Sequence, residues 1–340
     1  MNVLLTSAGR RTYMVEYFKE VLKPYHGKVY AINSNLDAPA LWIADGYEQA
    51  PLIHSDSYPQ FIEEYCIKNG IQLVISLFDI DLPILSKLKE RFLVLGITIV
   101  VADSWVVEMA NDKWATYQFL KRHQFNTVLT YKSIASFKCD FDHGKVDFPV
   151  FIKPRWGMGS IGLYKAENFE ELNFYYKSVK KEIEQSYLYF ESKLTPNESV
   201  LIQAQLPGKE YGLDIINNLK GEYQTTIVKQ KLAMRSGETD SAVIVEEPIL
   251  SELGENIAKK LKHPAIIDVD VFFDGKTPYV LEINARFGGG YPFSHAAGVN
   301  LPEAIIKWHL SKPVVISELL TAKNNIKSMK GIMIVSQEQL

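Results

Sequence analysis

The sequence predicts an α/β protein in which an N-terminal parallel sheet is followed by a mixed α+β module. Three observations carry this prediction. Short apolar runs alternate with helical patterns over about the first 105 residues. A strand that bears Lys153 runs directly into a glycine-rich loop. Two apolar runs around Asp274-Gly275 have the pattern of a β-hairpin, and this hairpin carries carboxylates.

The N-terminal elements follow from the alternation of apolar and helical segments. Strands are predicted at 2–7, 29–33, 72–77 and 97–101, with helices after Tyr13, near 58–69 and near 81–92. Such a pattern indicates a parallel sheet covered on both faces, which binds ligands at the carboxyl ends of its strands. Arg10 and Arg11 come just after the first strand, so they could bind a substrate carboxylate. Surface arginines that open a helix explain them equally well.

The remaining elements are less regular. We predict a helix over 111–123, a strand ending at Lys153 and helical sequence over 167–192. Strands are predicted at 200–203, 211–217, 224–232 and 241–246, and a short one at 331–335. Helices near 251–262 and 301–311 flank the carboxylate hairpin.

The hairpin carries Asp270, Glu282 and Asn284. Glu282 and Asn284 are two residues apart and therefore share one face of a strand. If Phe273 faces Tyr279, Asp270 lies opposite Glu282. Converging oxygen ligands suit Mg²⁺, which proteins usually hold with one or two carboxylates plus substrate phosphates. The hairpin thus predicts half of a nucleotide site; the alternative is a hairpin with polar residues on its solvent face.

The loop after Lys153 contains Gly157, Gly159 and Gly162. Glycines let backbone N–H groups approach phosphate oxygens closely, and the lysine supplies a positive charge. The loop is neither a Walker A motif nor a Rossmann fingerprint. A glycine-rich hairpin turn is the alternative, but the separate carboxylate hairpin favours a phosphate-binding loop.

Composition excludes several classes of function. The chain has 340 residues, 47% hydrophobic and 23% charged, which is typical of a soluble globular protein. A net charge of -3 argues against a general nucleic-acid surface. No segment has the ~20 apolar residues of a membrane span, and the N-terminus has the wrong order for a signal peptide. Cys66 and Cys139 form no disulfide or zinc pattern. We therefore expect a cytoplasmic protein with no membrane or nucleic-acid partner.

These motifs, in this order, resemble the ATP-grasp superfamily. The likeness rests on Asn-Asp-Lys at 111–113, the Lys153 loop, PGKEYGLD at 207–214, VLEINARFGGG at 280–290, and the N-terminal LLTSAGRR and LFDID. It extends over about residues 1–310 and is strongest to single-module proteins similar to half of the carbamoyl phosphate synthase large subunit. The resemblance implies a pre-ATP-grasp, Rossmann-like domain at 1–110, a small lobe at 111–200, a large lobe at 201–312 and a tail with a short strand at 313–340.

The resemblance also implies roles for individual residues. The ATP phosphates would be contacted by Lys113, Lys153, Gly157, Gly159, Ser160 and Gly162. The adenine would be bound by the hinge residues Gln203, Ala204, Gln205 and Leu206, with Glu210 nearby, and the metal by Asp270, Glu282 and Asn284. The transferred phosphate and the acylphosphate would be contacted by Arg286, Arg235 and Lys229. The hinge departs from the family pattern because it lacks the usual glutamate for the ribose. Asp270 also reaches less far than the glutamate or glutamine found at this position in some relatives.

The expected function is an ATP- and Mg²⁺-dependent ligase with two metal ions, Mn²⁺ being an alternative. It would activate a small-molecule carboxylate as an acylphosphate, join it to an amine and release ADP and phosphate. A kinase or an acid-thiol ligase on the same site, or a non-catalytic ATP sensor, are the alternatives. Synthesis of carbamoyl phosphate by this chain alone is not expected, because the second synthase half and the ammonia-supplying domain are not in it. Base rates favour a homodimer.

Overall fold

The first hundred residues form a parallel sheet with helices against both faces. The computed structural model describes residues 1–157, 161–193, 195–235 and 237–336. In chain order, the N-terminal elements are β1 (Asn2–Thr6), α1 (Thr12–Leu22), β2 (Val29–Asn33), α2 (Pro39–Ile43), β3 (Gly46–Gln49), α3 (Tyr58–Lys68), β4 (Ile71–Ser76), α4 (Leu82–Val94) and β5 (Thr98–Val100). The strand order is β3-β2-β1-β4-β5, and every neighbouring pair is parallel.

The predicted parallel sheet is confirmed, with one additional strand. Strand β3 is not predicted by the sequence because it is only four residues long, and alternate residues of it are exposed at the sheet edge. A strand this short has too few apolar residues to show a period of two.

A smaller antiparallel sheet follows. Its region contains α5 (Ser104–Asn111), α6 (Lys113–Arg122), β6 (Thr130–Tyr131), α7 (Ile134–Asp142), β7 (Val150–Pro154), β8 (Tyr164–Ala166), α8 (Phe169–Glu184), α9 (Tyr189–Ser192) and β9 (Val200–Ala204). The strand order is β6-β9-β7-β8. The helix predicted over 111–123 is confirmed as α6, which begins two residues later because Asp112 is its extended N-cap and Asn111 ends α5.

A larger antiparallel sheet completes the fold. Its elements are β10 (Lys209–Asn217), β11 (Tyr223–Arg235), β12 (Glu238–Ile244), α10 (Pro248–Leu261), β13 (Ile266–Phe273), β14 (Pro278–Asn284), α11 (Tyr291–Ala296), α12 (Leu301–His309), α13 (Ile316–Leu319) and β15 (Lys327–Met329). The strand order is β14-β13-β10-β11-β12-β15. The strand predicted at 331–335 is wrong: the last strand is β15, which pairs with β12 at the sheet edge.

The buried cores show how the three sheets are joined. The small sheet and α8 enclose a core of their own, with Phe137 and Ile202 among its members. The N-terminal and large sheets instead share two cores, one of which packs Leu5 with Phe287 and Leu301. The small sheet is therefore a separate packing unit, whereas the other two are fused through apolar contacts.

Within the described part of the chain, no helix is long and apolar enough to cross a membrane.

Candidate functional site

The hairpin of β13 and β14 places its polar residues in the predicted pairs. Asp270 lies opposite Glu282, and Asp268 lies opposite Asn284. Both pairs belong to one short stretch of ladder, so three carboxylates and an amide converge on it.

The turn of this hairpin differs from the prediction by one residue. Phe273 faces Pro278 rather than Tyr279. The turn is closed by Asp274, whose Oδ1 accepts the N–H groups of residues 276 and 277 at 2.8 and 2.7 Å. An irregularity at Leu281 then adds one residue to β14 and restores the register of the carboxylate pairs.

The surroundings of the hairpin shift the pKa values of Asp270 and Glu282 in opposite directions. Burial raises the pKa of Asp270 to about 7, and the neighbouring charges of Asp268, Glu282 and Glu210 add to this shift against the opposing charge of Lys231. Burial acts on Glu282 in the same direction, but the surrounding cations outweigh it and its pKa is lowered. The cluster therefore has more negative charge than its own lysine neutralises.

Lys231 is a site residue that sequence reasoning missed. Its Nζ lies 2.6 Å from Oε1 of Glu210 and 2.7 Å from Oδ1 of Asp270, and its side chain is only 8% exposed. Burial alone would lower the pKa of Lys231, but these two carboxylates raise it. The signal was available, because Lys229 and Lys231 are two residues apart on β11 and so share a face.

The oxygen atoms of this cluster fit a hard divalent cation. Asp270, Glu282 and Asn284 offer two carboxylates and an amide, the kind of partial shell that Mg²⁺ completes with substrate phosphates. Oδ1 of Asp270 is buried and, among the described residues, accepts no hydrogen bond; only the Lys231 ammonium touches it. No three His, Cys, Asp or Glu side chains of the described chain are grouped for a metal. A metal here would thus depend on the amide and on ligand oxygens.

Lys113 is positioned by the break between α5 and α6. Asp112 caps α6 by accepting N–H groups of residues 114 and 115 at 2.9 and 3.3 Å. The same carboxylate binds Arg155 through two bonds of 2.7 and 2.6 Å. Lys113 is the first residue of α6, and its Nζ donates to the carbonyl of Gly157. The Asn-Asp-Lys motif therefore ties this lysine to the start of the glycine-rich loop.

The side chain of Lys153, on β7, points away from solvent. It is 8% exposed. Burial lowers the pKa of Lys153 to about 8, and Lys113 contributes to this shift, whereas Glu282 opposes it. Lys113, Lys153 and Glu282 therefore interact electrostatically across the two lobes, as a phosphate site requires.

The two ends of the glycine-rich loop, Gly157 and Gly162, have backbone conformations that favour glycine. Gly157 has φ +110° and Gly162 has φ +65°, so both positions need glycine. A Cβ at Gly157 would lie 2.6 Å from the side chain of Leu188. The predicted phosphate contacts Gly159 and Ser160 lie outside the described residues.

The predicted hinge runs from the end of β9 into the connection to β10. Gln203 is buried, and its Nε2 donates to Oγ1 of Thr130 at 3.0 Å. The N–H of Ala204 donates to the carbonyl of residue 129. Gln205 and Leu206 leave the sheet and are more exposed. Backbone groups of Gln205 and Leu206 are therefore the hinge groups that lie nearest to solvent.

Lys229 lies beneath the glycine turn at 288–290. It is 2% exposed and ion-paired with Asp214, which also accepts a hydrogen bond from Ser294. A Cβ on Gly288 would come within 2.3 Å of Cγ of Asp268, so only glycine allows this approach. Lys229 is thus a buried support of the turn.

Arg235 lies apart from these cations. It is at the solvent end of β11 with a side chain 60% exposed, and it pairs with Asp240 at 2.9 Å.

Arg286 is held by the N-terminal sheet. Its Nε and Nη2 lie 2.6 and 2.5 Å from Oδ2 of Asp79, and both side chains are under 10% exposed. Asp79 belongs to the LFDID segment after β4, at the ligand end of the parallel sheet. Its contact with Arg286 cannot be read from the sequence, since 207 residues separate the two.

One cleft joins all three sheets. The residues that line it come from the N-terminal sheet, from the start of α6 with the glycine-rich loop, and from the carboxylate hairpin: Asp79, Ile80, Ala110, Asn111, Lys113, Gly157, Glu191, Glu282, Ile283 and Asn284. The cleft therefore brings together predicted phosphate and metal residues that lie 169 positions apart in the case of Lys113 and Glu282.

Two family models match the chain. Residues 3–100 match the PylC-like N-terminal domain, and residues 197–331 match the model described as ATP-grasp in the biosynthetic pathway with Ter operon. The carbamoyl phosphate synthase large chain of Pyrococcus furiosus is 28% identical over 169 residues, which are 47% of this chain and 15% of that protein. The matched region is thus a small part of that relative.

Solved structures of low sequence identity share the fold over nearly the whole chain. The biotin carboxylase domain of Hydrogenobacter thermophilus 2-oxoglutarate carboxylase has a TM-score of 0.72 at 17% identity, covering 96% of this chain and 73% of that one. N5-carboxyaminoimidazole synthetase of Staphylococcus aureus has 0.69 at 15%, covering 92% and 78%. L-amino acid ligase of Bacillus licheniformis has 0.65 at 18%, covering 94% and 76%. The chain thus matches an ATP-grasp model over residues 197–331 and a PylC-like N-terminal domain over residues 3–100, and it shares its fold with these solved structures.

Proposed function

We propose that this protein is an ATP- and Mg²⁺-dependent ligase that joins a small-molecule carboxylate to an amine through an acylphosphate. The observation that carries the proposal is the cleft in which Lys113, the glycine-rich loop and Glu282 meet beside the Asp79–Arg286 pair. Cations and carboxylates that converge from separate parts of a chain suit a polyanionic ligand with its metal.

The nucleotide half of the site uses charges that the fold already holds in place. Lys113 and Lys153 bind phosphate oxygens, and backbone groups of Gln205 and Leu206 bind the adenine edge. Asp270, Glu282 and Asn284 hold Mg²⁺, which when bound draws charge from the phosphate oxygens. A divalent cation beside Asp270 would compete with the Lys231 ammonium, which also has Glu210 as a partner.

The chemistry then consists of two displacements. An oxygen of the acid attacks the γ-phosphorus, the bond to the ADP oxygen breaks, and an acylphosphate forms. The nitrogen of the amine attacks the acyl carbon, phosphate leaves, and the amine proton passes to water. Lys153 and Arg286 neutralise the charge that develops on the transferred group. No protein nucleophile is needed, so positioning and electrostatics supply the catalysis.

The comparisons support this assignment. The matched 2-oxoglutarate carboxylase domain was crystallised with MgADP and bicarbonate, and the Staphylococcus synthetase with ADP. The Bacillus relative is named an L-amino acid ligase. Transfer of an ATP-dependent carboxylate ligase function to this chain agrees with its cleft.

Incubation of the purified protein with ATP, Mg²⁺ and pools of small acids and amines tests the proposal, with ADP and phosphate as the products to be measured. We expect equal amounts of both when acid and amine are present together. Glu282→Gln should reduce this activity at least about 100-fold, because it weakens the metal site. Glu255→Gln is the matched control, since that carboxylate is 41% exposed on the solvent face of α10 and pairs with Lys259.

Other products would refute the ligase. Phosphate retained on a stable product would indicate a kinase, and dependence on a thiol an acid-thiol ligase. Tight ATP binding without turnover would indicate a sensor. Full activity of Glu282→Gln would contradict the metal assignment.

A further inference from the structure

Two arginines lie side by side where the N-terminal sheet meets the large sheet. Nη1 of Arg11 donates to the carbonyl of Phe287 at 2.8 Å, and Nη1 of Arg286 donates to the same oxygen at 3.0 Å. Because one carbonyl oxygen accepts both bonds, the two guanidinium groups are immediate neighbours. Like charges at this separation repel each other unless an anion lies between or beside them.

The two carboxylates whose charge acts on Arg11, Asp79 and Glu238, are already paired with other cations. Asp79 binds Arg286 at 2.5 and 2.6 Å, and Glu238 lies 3.0 Å from the ammonium of Lys330. In the described part of the chain, no carboxylate comes within salt-bridge distance of Arg11. Each of these two carboxylates thus has another cation as its direct partner, and Arg11 has no carboxylate partner among the described residues.

The surroundings of Arg11 also disfavour its own charge. Burial lowers the pKa of Arg11, and the charge of Arg286 acts in the same direction, against Tyr13, Glu238 and Asp79. Arg11 precedes α1, whose first turn contains no acidic residue and has no side-chain cap. The positive end of the helix dipole therefore lies beside Arg11 without an acidic side chain to offset it.

Arg10 differs from its neighbour. Arg10 is exposed, whereas Arg11 is half-buried. Of the two arginines that the sequence left open as carboxylate ligands, the structure therefore favours Arg11.

We propose that Arg11 binds a carboxylate of the acceptor acid that does not react, so that the acid substrate carries a second anionic group. The inference rests on the proposed ligase function, in which Arg286 faces the transferred phosphate. Arg11 shares its carbonyl with Arg286, so the second carboxylate lies a short distance from the reacting one. The substrate class is a small dicarboxylic acid or a similar dianion.

The reacting carboxylate is a less suitable ligand of Arg11 than a second, non-reacting carboxylate. An arginine that binds the attacking oxygens most strongly before reaction stabilises the ground state and gains nothing in the transition state. A second carboxylate keeps its charge through both steps, and its binding orients the reacting end. A guanidinium fork also matches a carboxylate through two parallel bonds.

Calorimetric titration without nucleotide tests this subsite directly. The probes are succinate and L-glutamate, with succinamate and L-glutamine as controls that keep the shape and lose one charge, and inorganic phosphate as a non-carboxylate dianion. We expect saturable binding of a diacid and much weaker binding of its amide. Arg11→Gln should weaken diacid binding roughly 10- to 100-fold, the effect of losing a charged hydrogen-bond donor. Arg10→Gln, the matched control, should bind as the wild type does.

A parallel titration with MgADP separates this inference from the proposed function. Arg11→Gln should bind MgADP as the wild type does; weakened MgADP binding instead would place Arg11 in the nucleotide site and overturn the inference. Loss of MgADP binding in the wild type would refute the proposed function and leave the diacid result to be judged by itself. No saturable diacid binding by the wild type, or binding of phosphate alone, would overturn the carboxylate assignment.

The urea midpoint of the protein without ligand distinguishes a binding role of Arg11 from a structural one, because the two roles predict opposite effects of Arg11→Gln. If Arg11 is an unbalanced cation, Arg11→Gln should leave the urea midpoint unchanged or raise it, because repulsion from Arg286 is relieved. If Arg11 only links the two sheets through Phe287, the midpoint should fall and the inference is wrong.

Discussion

Replacement of Asp79 tests whether the N-terminal sheet holds Arg286 in place. Two guanidinium nitrogens contact Oδ2 of Asp79, and the side chains are only 8% and 9% exposed. Removal of one partner from a buried ion pair costs about 3–5 kcal/mol, because the other charge is left uncompensated. Asp79→Asn keeps one hydrogen-bond acceptor, so we expect the lower end, about 3 kcal/mol of the free energy of unfolding.

Urea denaturation measures this loss. The matched control is Asp103→Asn, whose carboxylate is 70% exposed and lies 3.0 Å from Lys89. Exposed pairs contribute about 0–1 kcal/mol, so the control should unfold almost as the wild type does. A loss below about 1 kcal/mol for Asp79→Asn would refute the reasoning, since the pair would then be no more costly to break than one on the surface.

The double variant Asp79→Leu, Arg286→Met separates stability from catalysis. Apolar residues in place of a buried ion pair are often neutral or stabilising, so the double variant should recover most of the lost stability. It should remain at least about 100-fold slower in ADP release, because Arg286 is absent. Recovery of both properties would show that Arg286 has only a structural role.

Two further predictions concern the lysines of the site. Lys231→Met should lower the free energy of unfolding by about 3–5 kcal/mol without metal, since Asp270 loses its buried partner. Mg²⁺ should raise the melting temperature of this variant more than that of the wild type, and an equal effect in both proteins would contradict the shared site. Lys259→Met, at an exposed side chain, is the control. Lys153→Met should abolish one pH dependence of the free energy of unfolding. The pKa of Lys153 is 10.5 in the unfolded chain and about 8 in the folded protein, so wild-type stability rises with pH between these values and is lost as the pH falls through 8. Urea titrations across this window would contradict the assignment if the variant kept the full rise.

Local patterns predicted the elements and the hairpin pairs but not the exact turn. Asp270 opposite Glu282 followed from alternation, since a period of two fixes the face on which each side chain lies. The turn register was wrong by one residue, because the backbone contacts of Asp274 and the added residue at Leu281 leave no pattern in apolar spacing.

Contacts between distant parts of the chain were beyond the sequence. Asp112 was readable as part of a motif, yet its role as the cap of α6 and partner of Arg155 depends on the packing of β7 beside it. Asp79 reaches Arg286 only because two sheets share their cores. Periodicity reports the face of an element and carries no information about which distant element covers that face.

The separate core of the small sheet would allow this unit to move as a rigid body. Its apolar interior is not shared with the other sheets, and contacts that cross the divide include the ring stack of Phe190 on His54 at 4.5 Å. Thr127 is held by Val280 of β14, so rotation of the unit that follows it, with a second bend at 205–208, would leave the fused cores intact. Under the proposed function, ADP would then leave and ATP enter while Arg11 and Arg286 keep their geometry, so that exchange of the nucleotide would not disturb the proposed acceptor subsite.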